Sequence, residues 1–399
     1  MQGENERVLI AGGGIGGLAT ALGLARAGID CHVMERSGRF GEIGAGIQIA
    51  PNAFHAFDYL GIGEAARARA VFIDELRLMD AMSGEEITHV PLGEDFRRRF
   101  ANPYAVVHRG DLYAALIRAC EESPHVTLQA NTEVIGYEQD ETRVRALLRD
   151  GMAVSGAALI GADGLWSKIR AQLAGDGAPR VSGHTTYRSV IPVADMPEDL
   201  RWNAATLWAG PKCHLVHYPL SGWKLFNLVV TYHNDAPEPV AGQPVTAAEV
   251  ARGFGHICAR ARQIIDAGRD WKLWVLCDRD PILNWTDRRV TLLGDAAHPM
   301  LQYFAQGACM ALEDAVCLSD CVSRAGGDFA AAFREYNRKR VDRASRVQLQ
   351  SRAIGDHIYH PDGAHAHLRN RILSAMSAED HYRTLHWLYA GNGLNNICA

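Results

Sequence analysis

Residues 8–35 read VLIAGGGIGGLATALGLARAGIDCHVME, and no other stretch constrains the fold as tightly. An apolar run from Val8 to Ala11 leads into Gly12-x-Gly14-x-x-Gly17; a helical stretch follows, and a second apolar run ends in Glu35. A strand, a tight turn, a helix and a second strand, with an acid about 20 residues past the glycines, make a dinucleotide-binding βαβ unit. Gly12 permits the tight turn, Gly14 lets a pyrophosphate approach the backbone, and Gly17 lets helix pack close to strand. Ile15 and Gly16 fall at the helix N-terminus, where unpaired N–H groups and a partial positive charge favour phosphate. Glu35 is placed to accept hydrogen bonds from a ribose hydroxyl.

The remaining composition excludes several classes. The 399 residues carry a net charge of −5, so there is no basic surplus for nucleic acid or anionic membrane. No apolar run approaches the ~18 residues that span a bilayer. The first residues, MQGENERVLIAGGG, hold no apolar signal-peptide core. Nine scattered cysteines make no disulfide framework, and a reducing cytoplasm is expected. Cys317 and Cys321 share a helical face and read as two small buried side chains rather than half a metal site. His357, His360, His365 and His367 cluster near the C-terminus without regular ligand spacing, so a polar loop is expected there and no metal.

Two further strand ends stand out. In ALIGADGLWSKIR an apolar strand, 158–162, ends in Asp163-Gly164, with Arg170 beyond; in RRVTLLGDAAHPM another ends in Gly294-Asp295, followed by His298-Pro299. A helical pattern then runs from about Gly307 to Val322. Between these motifs, residues ~180–285 alternate and are rich in Trp, Tyr, Val and His, which predicts an antiparallel sheet. The expected organisation is a discontinuous nucleotide domain (1–180 and 286–345), an inserted β-rich domain (181–285) and a helical C-terminal segment (346–399). Trp387 and Tyr389 in that segment could pack on the body or on a partner subunit.

The set GGGIGG, GADG and LLGDAAHP resembles the single-component FAD-dependent aromatic hydroxylases, the para-hydroxybenzoate hydroxylase group, over nearly the whole chain. The resemblance implies an α/β fold: a Rossmann-like FAD-binding domain, an inserted β-rich substrate domain and a helical C-terminal segment. It implies FAD held by the glycine motif, with Glu35 and Arg36 at the adenosine ribose and Arg109 reaching the cofactor from a helix start. Val134 joins the cofactor-contacting set, and Asp295 meets the ribityl and pyrophosphate region. Gly307 and Ala308 open a helix whose N–H groups face the flavin, and Asp163-Gly164 serve both FAD and the incoming nicotinamide. No second GxGxxG is present, so NADH or NADPH is expected to dock briefly, with molecular oxygen as co-substrate. A homodimer is the family expectation.

Within the family, GEIGAGIQIAPNA (41–53), NPYAVVHR (102–109), GPKCHLVHYPL (210–220), DRDPILNW (278–285) and HPMLQYFAQGACMALEDA (298–315) are similar to the branch acting on 3-hydroxybenzoate. That likeness implies para-hydroxylation to 2,5-dihydroxybenzoate through a flavin hydroperoxide. Tyr104, His214, Tyr218 and Gln302 would line the pocket, with His214 and Gln302 helping the phenol lose its proton. Gln48, also placed at the substrate by the likeness, stands where hydroxylases of 6-hydroxynicotinate carry histidine, which argues against that substrate. No arginine in these segments is an obvious partner for the substrate carboxylate; Arg188, in TTYRSV, is the candidate. His298 is read as a positioning residue, and His217 as facing away from Tyr218 across a strand. Salicylate 1-hydroxylation, a flavin reductase and a non-catalytic FAD-fold binding protein are the competing functions.

Overall fold

The computed structural model describes residues 6–41, 45–390 and 394; residues 42–44 of the 41–53 segment and Cys398 lie outside them. Val8–Ala11 and Cys31–Met34 are strands joined by the helix Ile15–Arg26. Every residue of both strands is buried, as a parallel sheet covered on both faces requires. Ala158–Gly161 pairs in parallel beside Val8–Ala11, and Val290–Leu292 pairs in parallel beyond it, within a six-stranded sheet. Ala11, Gly161 and Leu292 are therefore neighbours, and three motifs remote in sequence end side by side at the carboxyl edge of one sheet, where open α/β sheets bind ligands.

The glycines divide the labour the sequence implied. Gly12 has φ +106°, and a Cβ there would lie 2.3 Å from the Ala162 carbonyl oxygen; a Cβ on Gly17 would lie 2.0 Å from the Gly12 oxygen. Gly14 has nothing within 4 Å of that position, so its backbone is open to a ligand.

The β-rich region forms an eight-stranded sheet. Five of its strands, Arg180–Pro192, Ala204–Gly210, Cys213–Leu220, Leu225–His233 and Lys272–Asp278, fall in the stretch ~180–285 where the sequence predicts an antiparallel sheet. The sheet also takes in Glu75–Asp80 and Glu86–Pro91, which the sequence grouped with the nucleotide segment; Glu75–Asp80 pairs in parallel with Ala204–Gly210.

The C-terminal region is helical, with Phe329–Ile354, a π turn at Gly355–Tyr359, then Gly363–Ser374 and Ala378–Tyr389. It packs on the body: Tyr389 meets the rings of Phe96, Phe100 and Tyr104, and the Arg346 guanidinium lies 3.7 Å from the centre of the Trp387 ring. The C-terminal histidines do not form one polar loop, since His365 and His367 lie on the helix Gly363–Ser374. Among the described residues no helix is long and apolar enough to cross a membrane, and no three potential ligands gather around a metal position. Cys317 and Cys321 are buried free thiols.

Candidate active site

A cavity of about 870 Å³ opens between the carboxyl edge of the six-stranded sheet, one face of the eight-stranded sheet and the C-terminal helices. One end is made by the sequence motifs. Gly14, Ile15 and Gly16 line it with Arg109, Gly164, Asp295, Gly307 and Ala308. The helix Gly307–Arg324 begins without a side-chain cap, so its first N–H groups keep their hydrogen-bonding capacity. Asp295 is open to the cavity but otherwise enclosed by protein, and that burial raises its carboxyl above the usual range, against the pull of His298 and Arg109.

The glycine loop is braced from behind. Glu35 accepts hydrogen bonds from the N–H groups of Gly13 and Ser37, both at 2.8 Å, one on each oxygen, which leaves each oxygen a further lone pair. Burial opposes its charge, but these bonds hold its carboxyl below the usual range. Tyr113 donates to the Gly13 carbonyl at 2.7 Å. Asp163 accepts from the N–H of Lys168 at 2.7 Å at the start of the helix Lys168–Ala174, whose N-cap is Ser167, while its other oxygen is buried without a partner. Arg170 ties two motifs together: it donates to the carbonyls of Ala296 and Ala297 at 3.2 and 2.7 Å. Of the remaining sequence candidates, Gly12, Gly17, Glu35 and Asp163 shape the loops rather than the cavity wall, Arg36 is exposed, and Val134 is buried; none of the six lines the cavity.

A buried ionic cluster fixes the helix Gly307–Arg324. Arg340 donates to Asp314 at 2.7 Å and to Glu313 at 2.5 Å; Arg343 and Asn52 each reach Glu313 at 2.7 Å. His298 meets Asp314 at 2.5 Å. Burial works against the Asp314 charge, but His298 and Arg340 hold its carboxyl down to about 2.

The other end of the cavity is a sheet face. Strand pairing puts Arg188, Val229, Val216, Leu207 and Leu78 in one row, and all five line the cavity. His214 and Tyr218 flank that row on the same strand as Val216, two residues to either side, so the three share a face. His217 faces the opposite way, buried among Trp202, Trp208 and Phe226. Tyr104 lines the cavity too and donates to Gln48 at 2.7 Å.

Arg188 is a cation surrounded by protein with no carboxylate in salt-bridge reach among the described residues. It donates to the Gln302 side-chain oxygen, 2.7 Å away, and its guanidinium carbon lies 5.6 Å from the centre of the Trp274 ring. Burial and then nearby Arg109 lower its pKa, against Tyr218, yet a guanidinium stays charged at neutral pH. Gln302 does not pair with His214. Its nitrogen donates to Thr186 and Thr231 at 3.1 and 3.2 Å while its oxygen holds Arg188, because the threonines and Arg188 present their side chains on the same face. The partner of His214 is His360, with Nδ1 of the first 2.7 Å from Nε2 of the second. Burial, then His360 and His184, push His214 well below the ordinary histidine range, so its imidazole is neutral.

Sequence reasoning assigned none of His360, Tyr303, Tyr359 and Trp387 to the site. The last three line the cavity. No spacing rule connects them to the motifs. Thr186 could have been found, being two residues from Arg188 on a strand.

The chain belongs to the FAD binding domain family, whose model matches residues 5–350. The chain is 54% identical over 385 residues to 3-hydroxybenzoate 6-hydroxylase 1 of Aquipseudomonas alcaligenes, covering 96% of this chain and 98% of that one. It is 50% identical to the 3-hydroxybenzoate 6-hydroxylase of Polaromonas naphthalenivorans, covering 96% of each. The fold matches Klebsiella pneumoniae HpxO complexed with FAD and uric acid, with TM-score 0.86, 26% identity and 98% of each chain covered. The site fits FAD: an uncapped helix start, an open glycine backbone and the Asp295 carboxyl line the space.

Proposed function

We propose that the chain is an FAD-dependent monooxygenase that converts 3-hydroxybenzoate, NADH, a proton and oxygen to 2,5-dihydroxybenzoate, NAD⁺ and water. The observation that carries the substrate is the half-buried Arg188 cation, lining the cavity without a carboxylate partner among the described residues, on the same sheet face as a neutral buried histidine. An aromatic acid supplies the missing carboxylate, and a planar fork suits it. Relatives at 50% identity and above carry that substrate in their names.

FAD, when bound, supplies electron transfer from the nicotinamide and activation of oxygen. Gly14, Ile15 and Gly16 would hold its pyrophosphate, Glu35 its ribose, and the helix start at Gly307 and Ala308 the electron-rich edge of its ring. Arg188 binds the substrate carboxylate, with Gln302 fixing the guanidinium against Thr186 and Thr231. His214 takes the phenolic proton at Nε2, since Nδ1 is occupied by His360. Loss of that proton matters because phenols ionise near pH ~10 and only the phenolate pushes electron density strongly to its para carbon. That carbon is C6. Tyr218 and the Tyr104–Gln48 pair shape the ring slot.

NADH-dependent oxygen uptake with 3-hydroxybenzoate, with product identified by chromatography, tests the reading. Stoichiometric 2,5-dihydroxybenzoate supports it; hydroxylation of salicylate with release of carbon dioxide, or peroxide alone, sinks it. Arg188→Gln is expected to lower kcat/KM for 3-hydroxybenzoate roughly 10²-fold, the size of a lost charge-assisted pair, and to erase preference for the acid over its neutral amide. An unchanged preference would remove Arg188 from carboxylate recognition. Glu35→Ala should weaken FAD retention roughly 10-fold by loosening both ribose and loop, read as flavin absorbance per protein after dialysis. The reading carries with it a cytoplasmic homodimer, to which the free thiols of the described cysteines and sedimentation of the holoenzyme speak respectively.

A further inference from the structure

His214 poses a chemical problem. A base so far below the ordinary histidine range cannot keep a proton it has taken; it functions only if the proton moves on. Its Nδ1 points at the Nε2 of His360, 2.7 Å away, with the two rings stacked at 5.0 Å. His360 closes the π turn Gly355–Tyr359 and is half-buried, whereas His214 is 1% exposed. The turn aims it inward: Tyr359 donates to the Tyr303 carbonyl at 2.7 Å, and a Cβ on Gly355 would come 2.6 Å from the Tyr303 ring. Beyond His360 stand His184, ring centre 5.2 Å away, and His233, 4.1 Å further, which lies 3.3 Å from exposed Asp235.

We propose that His360 is the exit for the substrate's phenolic proton, receiving it from His214 and delivering it to solvent. The inference rests on the reading of His214 as the base for a phenolic acid. At the start His214 carries its hydrogen on Nδ1 and His360 carries its own on Nδ1. The phenol gives its proton to His214 Nε2, the His214 Nδ1 hydrogen passes to His360 Nε2, and His360 releases its Nδ1 hydrogen to water. One O–H bond breaks, one proton reaches solvent, and neither imidazole keeps a charge. Reprotonation of the product phenolate runs the path backwards and restores the starting tautomers. Burial, and after it His184 and His233, disfavours charge on His360, so the proton is not stored there. His360 touches neither substrate nor cofactor in this scheme; it acts through His214.

The test mixes oxidised holoenzyme with 3-hydroxybenzoate in weak buffer containing a pH indicator, following the phenolate absorbance band and proton release by stopped flow. Wild type should release one proton per bound substrate as the band appears, and 3-methoxybenzoate should release none. His360→Gln should slow both signals about 10²-fold, the scale of a lost proton-transfer partner, with flavin content and substrate affinity retained. His360→Gly should recover speed on addition of imidazole. A His360→Gln holoenzyme that binds substrate and ionises it at the wild-type rate overturns the relay. Wild type that binds no 3-hydroxybenzoate overturns the functional reading instead. A proton inventory on wild type in mixed light and heavy water needs no variant: two protons moving in step give a curved plot, and a straight line overturns the relay.

Discussion

His214→Ala is expected to purify with full FAD and to lose hydroxylation by about 10³-fold, because removal of a positioned general base costs 10²–10⁴. The His214 side chain touches His360, Tyr303 and Tyr359 rather than the glycine loop, so cofactor binding should survive. Bound 3-hydroxybenzoate should then remain the neutral phenol, whose para carbon is a poor nucleophile. NADH oxidation should continue but end in peroxide. The measurement is the ratio of 2,5-dihydroxybenzoate formed to NADH consumed, alongside the phenolate band of bound substrate. A ratio near the wild-type value would show that the phenol loses its proton elsewhere.

Arg340→Ala should cost about 3–5 kcal/mol of stability, the loss seen when one member of a buried ionic cluster is removed. Arg340 is 2% exposed, and it lies against Glu313 and Asp314, both fully buried. Arg343 and His298 remain as partners but do not replace the lost donors. The injury should reach the site, because Asp314 also accepts from the N–H of Gly294 at 3.2 Å and so anchors the Asp295 turn to the helix at the cavity. Urea unfolding of holoenzyme and apoprotein should show a lowered midpoint in both and weaker FAD retention. The Asp314 carboxyl has a folded pKa depressed to about 2 from 3.8, so its contribution is full above about 4 and is lost as pH falls toward 2. The variant should show a shallower loss over that acid window. A wild-type urea midpoint would mean that the cluster carries no net stability, an outcome known for some buried ion sets.

The nucleotide half of the molecule was legible because its determinants are local. A tight turn, a backbone laid open to phosphate and a helix pressed onto a strand each demand glycine at a set spacing, and the short apolar runs at 8–11 and 31–34, set on either side of that turn and helix, read as strands of a covered sheet. The helix from Gly307, the strands before Asp163 and Asp295, and the opposed faces of His217 and Tyr218 follow from the same short-range rules. Residue identity also determined which groups could do chemistry: one chain contains the glycine loop, a histidine suited to proton transfer and an arginine suited to a carboxylate.

What tertiary structure alone decided is which of these groups meet. Arg188 reaches the cavity because pairing across three strands aligns it with Val229 and Val216, and register between distant strands is set by packing that no local pattern records. The same packing gave Gln302 to Arg188 and the two threonines instead of to His214. It brought strands 75–80 and 86–91 into the eight-stranded sheet. It also turned His360, an unremarkable member of a histidine-rich tail by sequence, into the partner of a buried histidine 146 positions away.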